Sequence, residues 1–460
     1  MTSTASAPRA NSAHEQKLRE ALASARSEQR GERFVSVEVP APNSDAERLL
    51  DLDGASEARF WAEPTGYQFA GLGAVRVLTG AGPSRFREVS VAAQSLFSEL
   101  GPIASRIRLF GGFAFQPGRA KSPEWRSFGE GRFVLPRIGF ERRADGARLS
   151  LLFEAAELTD TSLVERTLAL AESALEVLSS PVLPESAALE HAALEEREDS
   201  QFLELVDSVG AAITRGEFEK IVLARRVALA LPRPLSASRV ERRLAEIAPE
   251  CLRFAFRVGS ATFLGATPER LVSKVGRAFE TEAVAGTVPI SEVPAGRLME
   301  STKNRAEQAI VVRELLRAFE PIAAALDHTP TPEIHRLRHI AHLRTKIRGQ
   351  LREPLHVLDL VERLHPTPAV GGAPTAAALA WIAENEPDER GWYAGPIGWI
   401  DGAGDGAFAV ALRSGLLERD RERATLYAGA GIVQGSDAQS ELAETRWKLK
   451  PLLGAFGVAP

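Results

Sequence analysis

Hydrophobic residues along this chain of 460 residues follow two patterns, which together predict strands alternating with helices. Short runs rich in Val, Ile, Leu and Phe predict buried strands. Stretches with apolar residues three and four positions apart predict amphipathic helices. The predicted strands span residues 34–39, 71–78, 108–115, 132–140, 148–153, 220–231, 252–258, 261–266, 271–274, 278–284, 337–343, 397–400, 407–417 and 424–429. The predicted helices span residues 163–178, 202–215, 235–247, 295–319, 355–364 and 375–384, and a last helix follows Gly435.

Several neighbouring strands are separated by a turn rather than a helix, which predicts antiparallel pairing. A Gly-Ser turn separates 252–258 from 261–266, and Gly276 separates 271–274 from 278–284. Such turns between apolar runs are hairpin signals. Sequential hairpins favour antiparallel sheets flanked by helices over a regular alternation with a parallel sheet. We therefore predict a mixed α/β fold of the α+β class.

The chain divides into portions of different character. Residues 1–33 predict a frayed tail that passes into a polar helix. The patterns of residues 34–200 are weaker, and those of residues 201–460 are sharper and carry the candidate chemistry. Residues 179–200 are rich in Pro, Ala and Glu, which predicts a linker or a solvated excursion.

Composition and charge narrow the class of function. The chain is 44% hydrophobic and 25% charged, which is typical of a globular protein. Its net charge of -5, without a basic run interleaved with aromatics, argues against a nucleic-acid partner. No apolar run approaches the roughly 20 residues that span a bilayer, and no secretory segment is recognisable, so we expect a cytoplasmic protein. The single cysteine, Cys251, excludes an internal disulfide, and its apolar neighbours favour a packing role.

The last predicted helix carries an unusual set of charges. Glu441, Glu444 and Lys448 are three and four residues apart, which puts them on one helical face. Together with Glu307 in the helix 295–319, these carboxylates form a set of hard oxygen ligands suited to Mg²⁺. Any one of these glutamates, taken alone, is equally typical of a solvated helix surface.

The sequence AGAGIVQGSD, which contains Gly429, Gly431 and Gly435, predicts a glycine turn before that helix. The glycine spacing does not match a dinucleotide-binding fingerprint. Glycines there would instead let backbone N–H groups approach a carboxylate. Ser436 and Gln439 have the spacing of a capping box.

Three histidines, His335, His339 and His342, have a spacing that imitates a zinc site on a helix. Their Arg-rich segment follows PTPEI, which favours a strand, and on a strand His342 would point away from the other two. We therefore expect His342 alone to contact a substrate.

Two further residues are candidates for proton transfer. Lys220 begins an apolar strand, where it is either an edge lysine that reaches water or a partly buried base. Glu269 follows Thr267-Pro268, where it is either a turn glutamate or an acid held beside the same cavity.

These pieces, taken in order, resemble the chorismate-utilising enzymes, which include isochorismate synthases, salicylate synthases and the large subunits of anthranilate and aminodeoxychorismate synthase. The resemblance covers about residues 217–456. It rests on the phrases FEKIVLARR, GATPERL, ETEAVAGT, KNRAEQAIVV, HLRTKIRGQL, LHPTPAVGGAP, GWYAGPIGW, FAVALRS, YAGAGIVQGSD and ELAET.

The resemblance implies one large intertwined domain of two antiparallel β-sheets with helices outside, like anthranilate synthase component I. The position of Lys220 looks like the catalytic lysine of members that add water, where ammonia-using members usually have glutamine. Gly371 stands where salicylate and anthranilate synthases tend to carry threonine. We therefore expect an isochorismate synthase of the menaquinone type, with siderophore supply also open. Salicylate synthase is the first alternative, and an aminodeoxychorismate or anthranilate synthase large subunit is the second.

The resemblance also implies roles for individual residues. Lys220 would activate water, and Glu269 would protonate the leaving hydroxyl group. Glu307 and Glu444 would hold Mg²⁺, with Glu441 close by. The substrate chorismate would meet Gly286, Thr287, His342, Tyr393, Arg413, Gly429, Ala430, Gly431 and Lys448.

Three points remain open in this reading. Arg413 on an apolar strand is also compatible with a structural buried ion pair. Asn304 and Gln308 depart from the acidic residue and the histidine that many relatives carry there. The protein would be a monomer or a homodimer.

Overall fold

The computed structural model describes residues 13–28, 31–181, 193–194, 199–295, 297–418 and 420–458. The helices in this part of the chain are α1 Ala13–Glu28, α2 Arg85–Leu100, α3 Thr161–Ser179, α4 Ser200–Thr214, α5 Ala237–Ile247, α6 Arg297–Glu300, α7 Thr302–Phe319, α8 Val357–Leu364, α9 Thr375–Asn385 and α10 Ala438–Phe456.

The strands of the N-terminal half are β1 Phe34–Ala41, β2 Glu57–Ala62, β3 Gln68–Leu72, β4 Arg76–Thr79, β5 Arg108–Phe113, β6 Gly131–Leu135, β7 Ile138–Arg143, β8 Gly146–Glu154 and β9 Ala193–Leu194. The later strands are β10 Lys220–Ala230, β11 Leu252–Val258, β12 Ala261–Thr267, β13 Arg270–Val275, β14 Ala278–Pro289, β15 Ala323–His328, β16 Glu333–Arg336, β17 Ile340–Leu351, β18 Gly372–Ala373, β19 Pro396–Asp401, β20 Gly406–Val410, β21 Ser414–Leu417 and β22 Arg423–Val433.

The strands form two antiparallel sheets, which confirms the predicted fold class. The large sheet has the order β1-β8-β7-β3-β2-β11-β12-β21-β22-β10-β18, with β9 added beside β10. The small sheet has the order β15-β17-β14-β13-β20-β19-β5-β6-β4, with β16 beside β17. Strands from both halves of the chain contribute to each sheet, so the two halves are joined through the sheets themselves.

The large sheet is buried on both faces. In β11, Phe254 and Phe256 join a core that contains residues of both sheets, whereas Ala255 between them faces a second core. That second core contains side chains of α1, α3, α5 and α10, among them Leu18 of α1 and Leu449 of α10. Burial on both faces explains why the strands of this sheet read as nearly continuous hydrophobic runs.

Three predicted strands are wrong because the chain changes sheets in the middle of each. The run 71–78 is split into β3 in the large sheet and β4 in the small one, and 132–140 is split into β6 and β7. The run 407–417 is split into β20 and β21 in the same way. Strands that switch sheets need a bend, and an unbroken hydrophobic pattern does not reveal one.

The remaining differences are local. Residues 337–343, predicted as one strand, are instead the turn between β16 and β17 followed by the first residues of β17. The helix predicted at 295–319 is the short α6 followed by α7, which begins after the N-cap Ser301. In the predicted N-terminal tail, α1 buries Leu18 and Leu22 against the second core, whereas residues 1–12 lie outside the described residues. Most of the predicted linker 179–200 also lies outside them.

Every helix that the structure describes is too short or too polar to span a bilayer.

Candidate functional site

A cavity lies where the chain crosses between the sheets, beside the connections β12–β13 and β20–β21. It brings together most of the residues expected to bind substrate or transfer protons: Glu269, Gly286, Thr287, Glu307, His342, Tyr393, Arg413, Gly429, Gly431 and Lys448. Four expected residues, Lys220, Ala430, Glu441 and Glu444, are not in its wall. The first two lie directly behind the wall, on β10 and β22.

Lys220 is fully buried at the start of β10, so the edge-lysine interpretation is wrong. Its Nζ lies 3.0 Å from Glu307 Oε1 of α7. Glu307 Oε2 accepts a hydrogen bond of 3.1 Å from the backbone N–H of Gly286. Burial would raise the pKa of Glu307, but Lys220 and two further lysines reverse that effect and lower it. The pair therefore places a carboxylate in the cavity wall and an amine directly behind it.

The absence of a side chain at Gly431 lets Lys220 and Glu307 approach each other. A Cβ built on Gly431 would lie 2.2 Å from Glu307 Oε1 and 3.0 Å from Lys220 Cε. Glycine is thus required at this position by the space that the ion pair occupies.

Glu269 lies at the crossing from β12 to β13 and is almost completely buried. Its backbone is fixed by hydrogen bonds that join the two crossings: Val410 N donates to Glu269 O over 3.1 Å, and Thr267 Oγ1 donates to Val410 O over 2.6 Å. Burial, assisted by the charge of Glu282, raises the pKa of Glu269 to about 8, although Lys220, Lys448 and Arg413 oppose the shift. A carboxyl group with this pKa is largely protonated at neutral pH and is able to act as an acid.

Arg413 lies at the second crossing, between β20 and β21, in a backbone conformation with φ of 46°. Positive φ is strained for a residue with a side chain, and such strain concentrates at functional sites. Arg413 Nη2 donates to His342 Nε2 over 2.8 Å, so this ring nitrogen carries no proton. Burial and the neighbouring Arg413 lower the pKa of His342, which keeps the ring neutral. Arg413 is therefore held by a neutral histidine, and none of the described residues provides the carboxylate partner that the alternative of a structural ion pair would require.

The same histidine fixes the bulge of β14 that contains Gly286, whose N–H bonds Glu307. With Nε2 as acceptor, Nδ1 carries the proton and lies 3.1 Å from both Gly286 O and Thr287 Oγ1. Gly286 has a φ of 69°, and a Cβ there would meet Asn304 Cβ at 3.0 Å. His342 thus links Arg413 to the bulge of β14 at Gly286.

The expected glycine turn is confirmed only at Gly435, which has a φ of 82°, because β22 runs through Gly429 and Gly431. Gly429 and Gly431 lie opposite Ala224 and Val222 of β10, whose backbone groups bond away from β22. In an antiparallel ladder the opposing residues then also direct their N–H and C=O groups outward. Gly429 O accepts a bond of 2.8 Å from Lys448 Nζ, in agreement with this register.

Ala430 behaves differently from the glycines on either side. It is paired with Leu223 in the ladder and is fully buried outside the cavity wall. Its backbone is therefore committed to the sheet, whereas those of Gly429 and Gly431 face the cavity.

Tyr393 forms the aromatic part of the wall. Its ring stacks on Tyr427 with a centroid separation of 5.0 Å, and its hydroxyl lies 3.1 Å from the position of a Cβ on Gly429. Burial raises the pKa of Tyr393, so its hydroxyl remains a hydrogen-bond donor.

The three carboxylates expected to bind metal each face a lysine. Besides Glu307 with Lys220, Glu444 Oε1 lies 2.8 Å from Lys448 Nζ, and Glu441 pairs with Lys303 of α7. No three His, Cys, Asp or Glu side chains in the described ranges converge as a preformed metal site.

The donor chemistry nonetheless fits a hard cation. Burial and the nearby Glu444 raise the pKa of Glu441, and Glu441 Oε2 is buried without a hydrogen-bond partner among the described residues. An all-oxygen donor set with one unpaired buried oxygen is compatible with Mg²⁺.

Two smaller expectations, on the N-cap of α10 and on His342, need correction. The N-cap of α10 is Asp437, which accepts from Ser440 N over 2.9 Å, and not Ser436. His335 and His342 lie opposite each other on β16 and β17, so His342 does not point away from His335. Gly371 is outside the cavity wall, which contains its neighbours Ala369 and Val370. Cys251 is buried, and burial raises the pKa of its thiol to about 11.

Sequence reasoning missed three charged residues at the site. Lys303 precedes Glu307 by four residues and so lies on the same face of α7. Glu386 and Arg390 form a buried ion pair of 2.5 Å at the edge of β10. Their i,i+4 spacing directly before the phrase GWYAGPIGW is the signal that could have revealed them.

Comparison with known proteins agrees with this geometry. A family model described as "Chorismate binding enzyme" matches residues 17–457. "Isochorismate synthase MenF" of Bacillus subtilis is 34% identical over 421 residues, which cover 86% of this chain and 87% of that protein. "Salicylate biosynthesis isochorismate synthase" of Pseudomonas aeruginosa is 36% identical over 422 residues, covering 88% and 86%.

Solved structures give the same result. The structure of MenF, described as the menaquinone-specific isochorismate synthase from Escherichia coli, superposes with a TM-score of 0.77 at 28% identity and covers 96% of this chain and all of that one. Anthranilate synthase component I from Streptococcus pneumoniae has a TM-score of 0.66 at 21% identity, with 93% of each chain covered. The second likeness confirms the predicted fold.

Proposed function

The chain belongs to the family of chorismate-binding enzymes, and on this premise we propose that it is an isochorismate synthase, which interconverts chorismate and isochorismate. Relatives named isochorismate synthase match most of the chain, which supports this choice within the family. We propose menaquinone biosynthesis as the pathway because the structure resembles that of MenF from Escherichia coli. Salicylate or siderophore supply is the alternative.

One observation carries the proposal. A buried amine and a buried carboxyl group with a pKa of about 8 lie at one cavity, close enough that the charge of Lys220 lowers the pKa of Glu269. Water addition with loss of hydroxide requires a base for the nucleophile and an acid for the leaving group. Ammonia is already a nucleophile and needs no such base, so the lysine favours water as the nucleophile.

In the proposed reaction Lys220 acts as a neutral amine: it removes a proton from a water molecule, whose oxygen bonds to ring position 2. The ring double bonds shift, and the hydroxyl group at position 4 leaves with the proton of Glu269. Each group would contribute about 10²- to 10⁴-fold to the rate. The reverse reaction uses the same two residues with their roles exchanged.

Other residues of the cavity would hold the substrate carboxylates. Arg413, oriented by His342, suits a bidentate contact with the enolpyruvyl carboxylate, and Tyr393 adds a hydroxyl donor. The outward N–H groups of Gly429 and Gly431, together with Lys448, offer further donors.

We propose Mg²⁺ as the cofactor, held by Glu307 and Glu444 with Glu441 beside them. When bound, this ion would fix the ring carboxylate and offset its charge. Lys220, Lys303 and Lys448, which now pair with these three carboxylates, would give up part of those contacts.

Product analysis tests the proposal. Purified protein with chorismate and Mg²⁺ should form isochorismate, identified by chromatography, and EDTA should abolish its formation. Release of pyruvate with salicylate would instead establish salicylate synthase, and an aminated product that requires ammonium would establish an ammonia-using enzyme. Lys220→Ala that retains full turnover would remove the proposed base.

A further inference from the structure

We propose that the Glu386–Arg390 ion pair is a positioning device that holds the strand bearing Lys220 and the adjoining cavity wall in register. Both residues are buried, with 4% of each side chain exposed, and they lie between α9 and the phrase GWYAGPIGW. Only the activity measurement that tests this inference depends on the function proposed above.

The Glu386–Arg390 ion pair takes the place of a neighbouring strand along part of the outer edge of β10. On the outer edge of β10, β18 pairs only with Lys220 and Ile221, and the short β9 pairs only with Leu229 and Ala230. Between these points no strand of the described chain covers the edge.

Backbone groups on that edge are satisfied by the ion pair. Val222 N donates to Gly371 O over 2.9 Å, whereas Val222 O accepts from Arg390 Nη2 over 2.7 Å. Ala224 N donates to Glu386 Oε1 over 2.8 Å. A neighbouring strand would supply one donor and one acceptor at these places, and here two side chains supply them.

Arg390 connects this strand to two parts of the cavity wall. Its Nη1 donates to Val370 O over 2.8 Å, and its backbone O accepts from Tyr393 N over 3.0 Å. Its guanidinium also lies 4.2 Å from the centroid of the Phe115 ring. Val222, Val370 and Tyr393 all line the cavity.

All three guanidinium nitrogens of Arg390 donate hydrogen bonds to protein groups. The guanidinium donates to both oxygens of Glu386, to Val222 O and to Val370 O. Although Arg390 lines the cavity, it is therefore poorly placed to bind a substrate carboxylate, and its effect passes through the strand that begins at Lys220.

The matched control is Arg59. It is buried to the same degree, bonds Glu57 over 2.7 Å, and donates to the backbone carbonyls of Ala58 and Arg257. It lies on β2 of the same sheet and does not line the cavity. Loss of either arginine should destabilise the fold, but only loss of Arg390 should disturb the site.

The experiment compares Arg390→Met, Arg390→Lys, Glu386→Gln and Arg59→Met at a temperature where circular dichroism shows each to be folded. We expect Arg390→Met to lower kcat for chorismate about tenfold to a hundredfold with KM changed less than about threefold. Arg390→Lys should recover only part, because an ammonium does not reproduce the planar fork. Arg59→Met should keep kcat within about twofold of the wild type.

Hydrogen exchange provides a readout that needs no reaction. Amides of residues 222–224 should exchange faster in Arg390→Met and not in Arg59→Met. Unchanged kcat and unchanged exchange in Arg390→Met would overturn the inference, as would a rise in KM alone, which would make Arg390 a substrate-binding residue. If Arg390→Met does not fold, Arg390→Lys and Glu386→Gln are judged by the same criteria. A wild type that does not turn over chorismate refutes the proposed function, while the exchange experiment still decides the positioning role.

Discussion

Replacing Glu269 by glutamine should stabilise the fold at neutral and alkaline pH while it removes most of the activity. The carboxyl group has a pKa of about 8 in the folded protein, against 4.5 for an unperturbed group. A group whose pKa is raised by folding contributes stability below its unfolded pKa, and this contribution is lost as the pH rises through the folded value. Glutamine resembles the protonated acid in shape and remains neutral at every pH.

The magnitude follows from the two pKa values. The gap between about 8 and 4.5 corresponds to about 5 kcal/mol above pH 8 and to roughly 3 kcal/mol at pH 7. The free energy of unfolding of Glu269→Gln should therefore equal that of the wild type near pH 4 and exceed it increasingly up to pH 8. Turnover should fall by about 10²- to 10⁴-fold.

The assay is urea denaturation of both proteins between pH 4 and pH 9, without Mg²⁺ or substrate. Glu353→Gln, which changes an exposed glutamate, is the control and should show no gain that grows with pH. A difference in unfolding free energy between Glu269→Gln and the wild type that stays constant across this range would refute the reasoning. Full turnover in Glu269→Gln would refute its role as the acid.

Three further outcomes are expected. Gly431→Ala should lower kcat/KM at least about tenfold, because its Cβ would lie 2.2 Å from Glu307 Oε1, whereas the nearest atoms to a Cβ in the control Gly429→Ala are 3.1 Å away. Equal activities would contradict this. Gly210→Ala in α4, where a Cβ meets no atom within 4 Å, should raise the free energy of unfolding by about 1 kcal/mol in urea titrations, and a decrease would contradict it. In isothermal titration, Mg²⁺ should bind more tightly when a dicarboxylate product is present. The three lysine–carboxylate pairs already balance in charge, so the negative charge that attracts the cation would come from the product. Equal affinity with and without the product would contradict this.

Much of the fold could be predicted from the sequence, because most strands and helices are marked by local patterns. The hairpin of β11 and β12 and the helices α3, α4 and α9 were predicted within about two residues of their observed ends. The crossings between sheets could not be predicted. A strand that changes sheets stays hydrophobic on both sides of the bend, so the pattern shows one long strand where there are two.

Prediction of the site was limited in a different way. Glycines, carboxylates and single basic residues stand out as sequence features, and the resemblance assigned them roles. The residues that pair with these groups or support them did not stand out in the sequence. Lys303 pairs with Glu441, and Arg390 supports β10. Both come into position only through tertiary packing. The neutral state of His342 likewise depends on its burial and on Arg413, which is distant in sequence and reaches it from the crossing between β20 and β21.

The two pairs of crossings differ in ways that favour the second pair as the position of the proposed site. The N-terminal pair, β3–β4 with β6–β7, has the same topology as β12–β13 with β20–β21. In the first pair, Arg137 is neutralised by both oxygens of Glu157 at 2.6 and 2.7 Å, and the bend uses Gly73 with φ of 65°. In the second pair, Arg413 occupies a positive φ of 46°, a conformation that glycine would adopt without strain, and it faces a neutral histidine rather than a carboxylate. Backbone strain and an arginine that faces no carboxylate among the described residues are features expected where a ligand supplies negative charge. The same architecture therefore forms a structural joint at the first pair, whereas the side chains of the second pair fit the anion-binding site proposed above.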